Sequence, residues 1–307
     1  EGGDDDMRHL AKSLKSHWTL YLLLAVPVIY VFVFSYIPMA GLQIAFKDLD
    51  LSKGFYGGDW VGLKHFKLFF SSYVFWRIIK NTIWISFCYL ILGFPAPILL
   101  ALSLNEVKNV AFKKSVQLIT YAPYFISTVV MVSIIMQVLS PYSGLVNKFI
   151  QLLGGEAVNF MGKPQYFVGI YVLSGIWQGM GYVSIIFIAA LSTIDPTLYE
   201  AVSIDGASKL QKIIYIDIPS LLPTMIIMMI LNMGSVMNVG FEKVFLMQNE
   251  MNISASDVIS TYVYQSGLVR GEYGYATAVG LFNSIINLLL VIIFNTSARK
   301  FSETSIW

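Results

Sequence analysis

Hydrophobic residues gather in six long runs separated by polar stretches, at about 18–39, 78–104, 115–139, 167–191, 224–240 and 275–296. An α-helix rises about 1.5 Å per residue, so roughly 20 apolar residues match the hydrocarbon thickness of a bilayer. Each run therefore predicts a membrane-spanning helix. Six spans place both termini on one side. The first run is longer than a signal-peptide core and lacks a convincing small-residue cleavage site, which predicts a retained span. The expected fold is all-α and polytopic: a tail over residues 1–17, with the acidic opening EGGDDD outside the fold, then a single transmembrane domain over 18–307.

The polar stretch between the fourth and fifth runs has a pattern of its own. Asp195 and Pro196 read as a helix start, because an Asp oxygen can accept an orphan backbone N–H and proline lacks the one it would leave unpaired. Asp205 and Gly206 then break the helix. A second apolar-periodic stretch, Leu210, Ile213, Ile214 and Ile216, follows until Pro219 and Pro223, where another bend is expected. The reading is a short helix, a glycine elbow and a second helix at the membrane surface, over about 192–223. Such a loop is shaped as a socket for another protein.

Glu200-Ala201, Asp205-Gly206-Ala207, Ile216, Pro219 and Pro223 resemble the EAA loop of ABC-importer permeases, with matching spacing across the loop and Val202 standing where the triplet has a second alanine. The phrase Trp60-Val61-Gly62-Leu63-Lys64-His65-Phe66 and the pair Asn81-Thr82 are further likenesses to the sugar-type members. The resemblance covers nearly the whole chain after residue 17. It implies that Glu200, Ala201, Asp205, Gly206 and Ala207 form a coupling helix seated in a cleft of a separate cytoplasmic ATPase.

Composition agrees with a membrane protein. Hydrophobic residues make up 56% and charged residues 12% of the chain, against about 25% charged in soluble domains. The net charge of +2 points to no nucleic-acid partner, and one cysteine, Cys88, gives neither a disulfide framework nor a metal pattern. Lys108, Lys113 and Lys114 crowd one short loop and Arg299-Lys300 follow the last run. These short basic loops favour a cytoplasmic position for the termini and for the EAA-like loop.

Polar residues inside a span tend to face protein or a water-filled cavity. Trp177, Gln178, Gly179 and Tyr182 form an aromatic and polar band in the phrase IWQGMGYVSIIFIAAL, which resembles the matching sugar-importer helix; by that likeness Gly179 and Tyr182 are expected to contact sugar. Asn232 and Ser235 share a helical face, with Asn238 a turn further. Aromatic faces beside amides and hydroxyls suit a neutral carbohydrate. No buried charge cluster is evident in the spans, and Glu242 and Lys243 stand at the end of the fifth. Packing roles for these residues are an open alternative, and Asn283 and Asn287, four apart, read as helix-contact residues.

The chain has no G-x-x-x-x-G-K-[ST] phosphate loop, no H-E-x-x-H pair and no G-x-S-x-G elbow. It is read as a transport subunit and not an enzyme, with no cofactor bound by the chain itself. The resemblance implies an importer of carbohydrate, especially oligosaccharide, in a prokaryotic plasma membrane. Its expected partners are a second homologous permease, two ATPase subunits that use ATP and Mg, and an extracellular solute-binding lipoprotein. The alternatives are an ABC permease for a peptide, amino acid or polyamine, and a passive channel or carrier.

Overall fold

A computed structural model describes residues 16–54 and 57–302. Of the expected tail over 1–17, residues 1–15 lie outside the described residues. Helix α1 (Trp18–Val31) continues through a π turn (Phe32–Tyr36) and a 3-10 stretch (Ile37–Phe46), forming one apolar rod of 29 residues. No residue of α1 is buried, as expected of a helix whose neighbours are lipid. A small antiparallel hairpin, β1 (Lys47–Leu49) with β2 (Gly58–Trp60), and helix α2 (Lys64–Ser71) lead to the second span, α3 (Phe75–Gly93) with α4 (Pro95–Asn105).

The third run is not straight. Helix α5 (Val110–Tyr121) and a 3-10 turn (Ala122–Phe125) meet α6 (Thr128–Val138) at 103°. Pro123 cannot donate its nitrogen to the helix ladder, and Ser127 starts a new helix by accepting the Val130 N–H. The Ile126 carbonyl freed at the corner accepts from Gln178 Nε2 at 3.0 Å.

Helix α7 (Leu145–Leu152) precedes the fourth span, α8 (Pro164–Leu191), which is the central post of the molecule. One end of it packs Phe167, Tyr171 and Val172 with Ile85, Met131 and Val244. The other end packs Phe187 and Leu191 with Ile98, Leu102 and Leu221. Where α8 crosses α5, a Cβ on Gly181 would collide with the Thr120 carbonyl, so glycine sets that close approach.

After α9 (Pro196–Ile204), Gly206 turns the chain at φ +77° and α10 (Lys209–Lys212) begins. The bend expected at Pro219 and Pro223 does not occur. Residues Lys209–Met233 run as one apolar helical stretch: α10, a π turn (Ile213–Asp217) and α11 (Ile218–Met233). The π turn widens the helix just before Pro219, which relieves the clash of its ring with the preceding turn. The fifth run also ends earlier than expected, because Gly234–Gly240 is unwound before α12 (Phe241–Met247). Helices α13 (Ile253–Ser256) and α14 (Ile259–Tyr264), a π turn (Gln265–Val269) and the last span α15 (Tyr273–Ser302) complete the order. Five helices among the described residues are long and apolar enough to cross a membrane, and six if the bent pair counts as one span.

Candidate functional site

Two regions carry the polar chemistry. The first is the loop between α8 and α11. Asp195 Oδ1 accepts the Thr197 N–H at 2.9 Å and Pro196 opens α9. Ser208 and Gln211 form a reciprocal capping box at α10. Glu200, Ala201, Asp205 and Gly206 are exposed, with Val202 and Ala207 half-buried beneath them. Leu198, Ile204 and Leu210 are exposed beside them, Ile204 at 86%. An apolar rim around an acidic helix is the composition of a protein-docking surface.

This loop is tied to the fifth span by a clasp that the sequence did not disclose. The Tyr199 hydroxyl donates to Asp217, which is fully buried in the π turn. Burial, with the Asp217 carboxylate beside it, pushes the Tyr199 hydroxyl up to about 12. Lys212 Nζ adds a second link, donating to Ser203 Oγ at 2.6 Å. The signal available was a carboxylate, Asp217, within an apolar-periodic stretch.

The second region is a cavity of about 260 Å³ where Gly234–Gly240 unwinds, walled by Tyr89, Tyr171, Asn232, Ser235 and Asn238. Broken backbone in a membrane needs side-chain partners. It finds them on three neighbouring spans and α14. Ser86 donates to the Val236 carbonyl, Ser260 donates to the Val239 carbonyl at 3.1 Å, and Gly240 N–H donates to the Tyr171 hydroxyl at 3.1 Å. Asn287 Oδ1 accepts the Met237 N–H at 3.0 Å, and Asn238 Oδ1 accepts from Asn283 Nδ2 at 2.7 Å. Asn283 and Asn287, expected as helix-contact residues, thus hold the unwound segment and not a helix.

The expected substrate residues do not share one surface. Asn232, Ser235 and Asn238 line the cavity, and Gly179 lines a smaller space of about 80 Å³ next to it, with Tyr89 and Asn232 common to both. Asn232 Nδ2 turns back to the Met228 carbonyl at 2.8 Å. Gln178 braces the α5–α6 corner. Tyr182 stacks on Tyr124, with ring centroids 3.9 Å apart and planes within 4°. Trp177 is exposed and lines neither cavity.

A cation stands behind the cavity wall. Lys243, expected at the end of a span, is buried at 9% exposure in α12, with Nζ donating to the Tyr171 carbonyl at 2.7 Å and lying 4.4 Å from the Tyr171 ring centre. Its signal was a lone cation among the apolar residues of α12.

A bundle of spanning helices with a short exposed helix tied to one span, and a polar cavity at a break in that span, is the architecture of a membrane transport subunit. The chain belongs to the binding-protein-dependent transport system inner membrane components, whose family match covers residues 93–303. It is 40% identical over 295 residues to Protein LplB of Bacillus subtilis (strain 168), covering 96% of this chain and 93% of the relative. It is 41% identical over 288 residues to the polygalacturonan/rhamnogalacturonan transport system permease protein YteP of the same organism, covering 94% and 90%. The fold is similar to a chain of a bacterial ABC transporter involved in the import of the acidic polysaccharide alginate, at 39% identity and TM-score 0.89, covering 96% of this chain and 99% of that one.

Proposed function

We propose that this chain is the membrane permease of an ATP-driven importer that moves oligosaccharide by alternating access. The observation that carries the reading is the junction of a partner-facing loop and a ligand-sized cavity on one helical stretch, Lys209–Met233 and the unwound residues after it. Closure of two ATPase subunits, which bind ATP and Mg, would draw α9 with them. Glu200 and Ala201 meet the ATPase, and Asp205, Gly206 and Ala207 form the elbow through which the pull turns. The Tyr199–Asp217 clasp delivers that displacement to the foot of the fifth span, whose upper end walls the cavity.

Asn232, Ser235 and Asn238 offer amide and hydroxyl groups to sugar hydroxyls, with Gly179 widening the adjoining space and Tyr182, Trp177 and Gln178 shaping the neighbouring face of α8. A second permease closes the cavity from the open side, and an extracellular binding lipoprotein delivers the cargo. Both termini and the coupling loop face the cytoplasm of a prokaryotic cell. Mild-detergent purification from the native membrane tests the assembly: recovery of a second permease and an ATPase is expected, and recovery of this chain alone, with uptake that needs no ATP, would overturn it.

A further inference from the structure

Among the described residues, all but one of the polar side chains that wall the two cavities make a hydrogen bond within the protein. Ser86 donates to the Val236 carbonyl, Ser235 to the Asn232 carbonyl at 3.3 Å and Asn232 to the Met228 carbonyl at 2.8 Å. The Tyr171 hydroxyl accepts from Gly240, and the Asn238 amide oxygen accepts from Asn283. Tyr89, on α3, is the exception: its hydroxyl has no hydrogen-bond partner among the described residues. A hydroxyl within a membrane domain needs one. The Tyr89 side chain is 40% exposed, so its hydroxyl is left to whatever fills the cavity.

The ring of Tyr89 also divides the space. It walls both the cavity of about 260 Å³ and the smaller one of about 80 Å³. Three glycines make room for it: a Cβ on Gly175 would lie 2.8 Å from the ring, one on Gly93 3.4 Å from it, and one on Gly179 4.0 Å from the hydroxyl. Gly175 and Gly179 share a face of α8, so the ring lies along that face with its hydroxyl at Gly179. Small-molecule sites hold about 300–1,000 Å³. Neither space reaches that range alone, whereas the two joined would, and the Tyr89 ring stands between them.

We infer that Tyr89 is a specificity-determining residue of the transport cavity: its hydroxyl binds a hydroxyl of the cargo, and its ring sets the length of chain that the cavity accepts. The inference rests on the oligosaccharide reading and adds a residue of the second span to it. A short chain in the larger space is held between Tyr89 and the amides of Asn232 and Asn238, with pyranose C–H groups against the aromatic ring. A longer chain enters the smaller space by displacing the ring, and the glycines beside it present no Cβ to hinder that movement.

The test uses the complete importer in proteoliposomes, with labelled di- and tetrasaccharides of galacturonate and of glucose as probes. The binding protein is the same in every preparation, so a change in the ratio of long to short chains reports the membrane cavity. Tyr89→Phe keeps the ring and removes the hydroxyl. Uptake of both lengths is expected to fall roughly two- to tenfold, the worth of one neutral hydrogen bond, with their ratio unchanged. Tyr89→Ala removes the partition, and the tetrasaccharide-to-disaccharide uptake ratio is expected to rise about tenfold. Tyr89→Leu, with the same direction expected, serves if Tyr89→Ala fails to assemble. An unchanged ratio in assembled Tyr89→Ala and Tyr89→Leu complexes would make Tyr89 a packing residue and overturn the proposal, while leaving the oligosaccharide reading standing. Natural uptake by Tyr89→Phe would overturn the hydroxyl contact. Uptake of none of these probes by the natural importer would overturn the oligosaccharide reading and the proposal together.

Discussion

Tyr199 shows how one hydroxyl can couple two elements. Its ring belongs to the exposed helix α9 and its hydrogen bond ends on Asp217 in the fifth span. Tyr199→Phe keeps the ring and removes the bond, so the complex should assemble while transport per ATP hydrolysed falls severalfold; an unchanged ratio in reconstituted vesicles would remove the clasp from the pathway. The hydroxyl is raised to about 12, so the bond's contribution is complete below the ordinary tyrosine value of about 10 and is lost as pH rises through about 12. Asn287 is a second such point, holding the Met237 N–H at 3.0 Å from a buried position. Asn287→Leu strands that buried donor, for which a cost of about 1–3 kcal/mol is expected. Thermal unfolding in detergent should show the loss, and a midpoint equal to that of the natural protein would refute it.

At the scale of elements, hydropathy made the spans legible because lipid imposes one rule on every exposed helical face. Asp195, Pro196 and Gly206 likewise announced the short helix α9 and the turn after it through cap and turn chemistry. The breaks were harder to read. Pro123 and Ser127 bend the third run, yet Pro219 and Pro223 leave Lys209–Met233 continuous. The difference lies in partners that local sequence does not name: Gln178 supports the opened corner, whereas a π turn absorbs Pro219 without opening one. The unwound Gly234–Gly240 had its glycines and polar residues in view, but its supports, Ser86, Tyr171, Ser260 and Asn287, are scattered along the chain. For the same reason Trp177 and Gly179, neighbours in one phrase, project from different faces of α8. The α5–α8 crossing can be tested directly. Gly181→Val places its side chain against the Thr120 carbonyl, so overpacking should cost about 1–3 kcal/mol or more. Lower yield and thermal stability are expected in detergent, and a natural melting temperature would contradict the close approach.

Across the whole molecule the two polar regions occupy opposite ends of one helical stretch. The fifth span begins at the docking loop, with Asp217 buried at its foot, and ends in unwound backbone at the cavity. A rigid stretch of this kind transmits displacement without needing a chain of small adjustments. On the proposed mechanism the continuous helix past Pro219 matters, because a bend there would absorb the stroke. Glu200 is exposed on α9, outside the hydrophobic clusters. Glu200→Lys reverses charge at the docking face while leaving the bundle's packing untouched, and surface substitutions of this kind change stability by about 0.5 kcal/mol or less. The variant should insert, bind the second permease and melt like the natural protein, yet lose most ATP-driven uptake. Measuring uptake, ATP hydrolysis and ATPase retention on one preparation separates the possibilities. Loss of the ATPase from the complex would place Glu200 in docking, and retained hydrolysis without uptake would place it in force transfer. Natural uptake and hydrolysis in the reversed-charge variant would remove Glu200 from the interface and move the contact to the apolar rim of Leu198, Ile204 and Leu210.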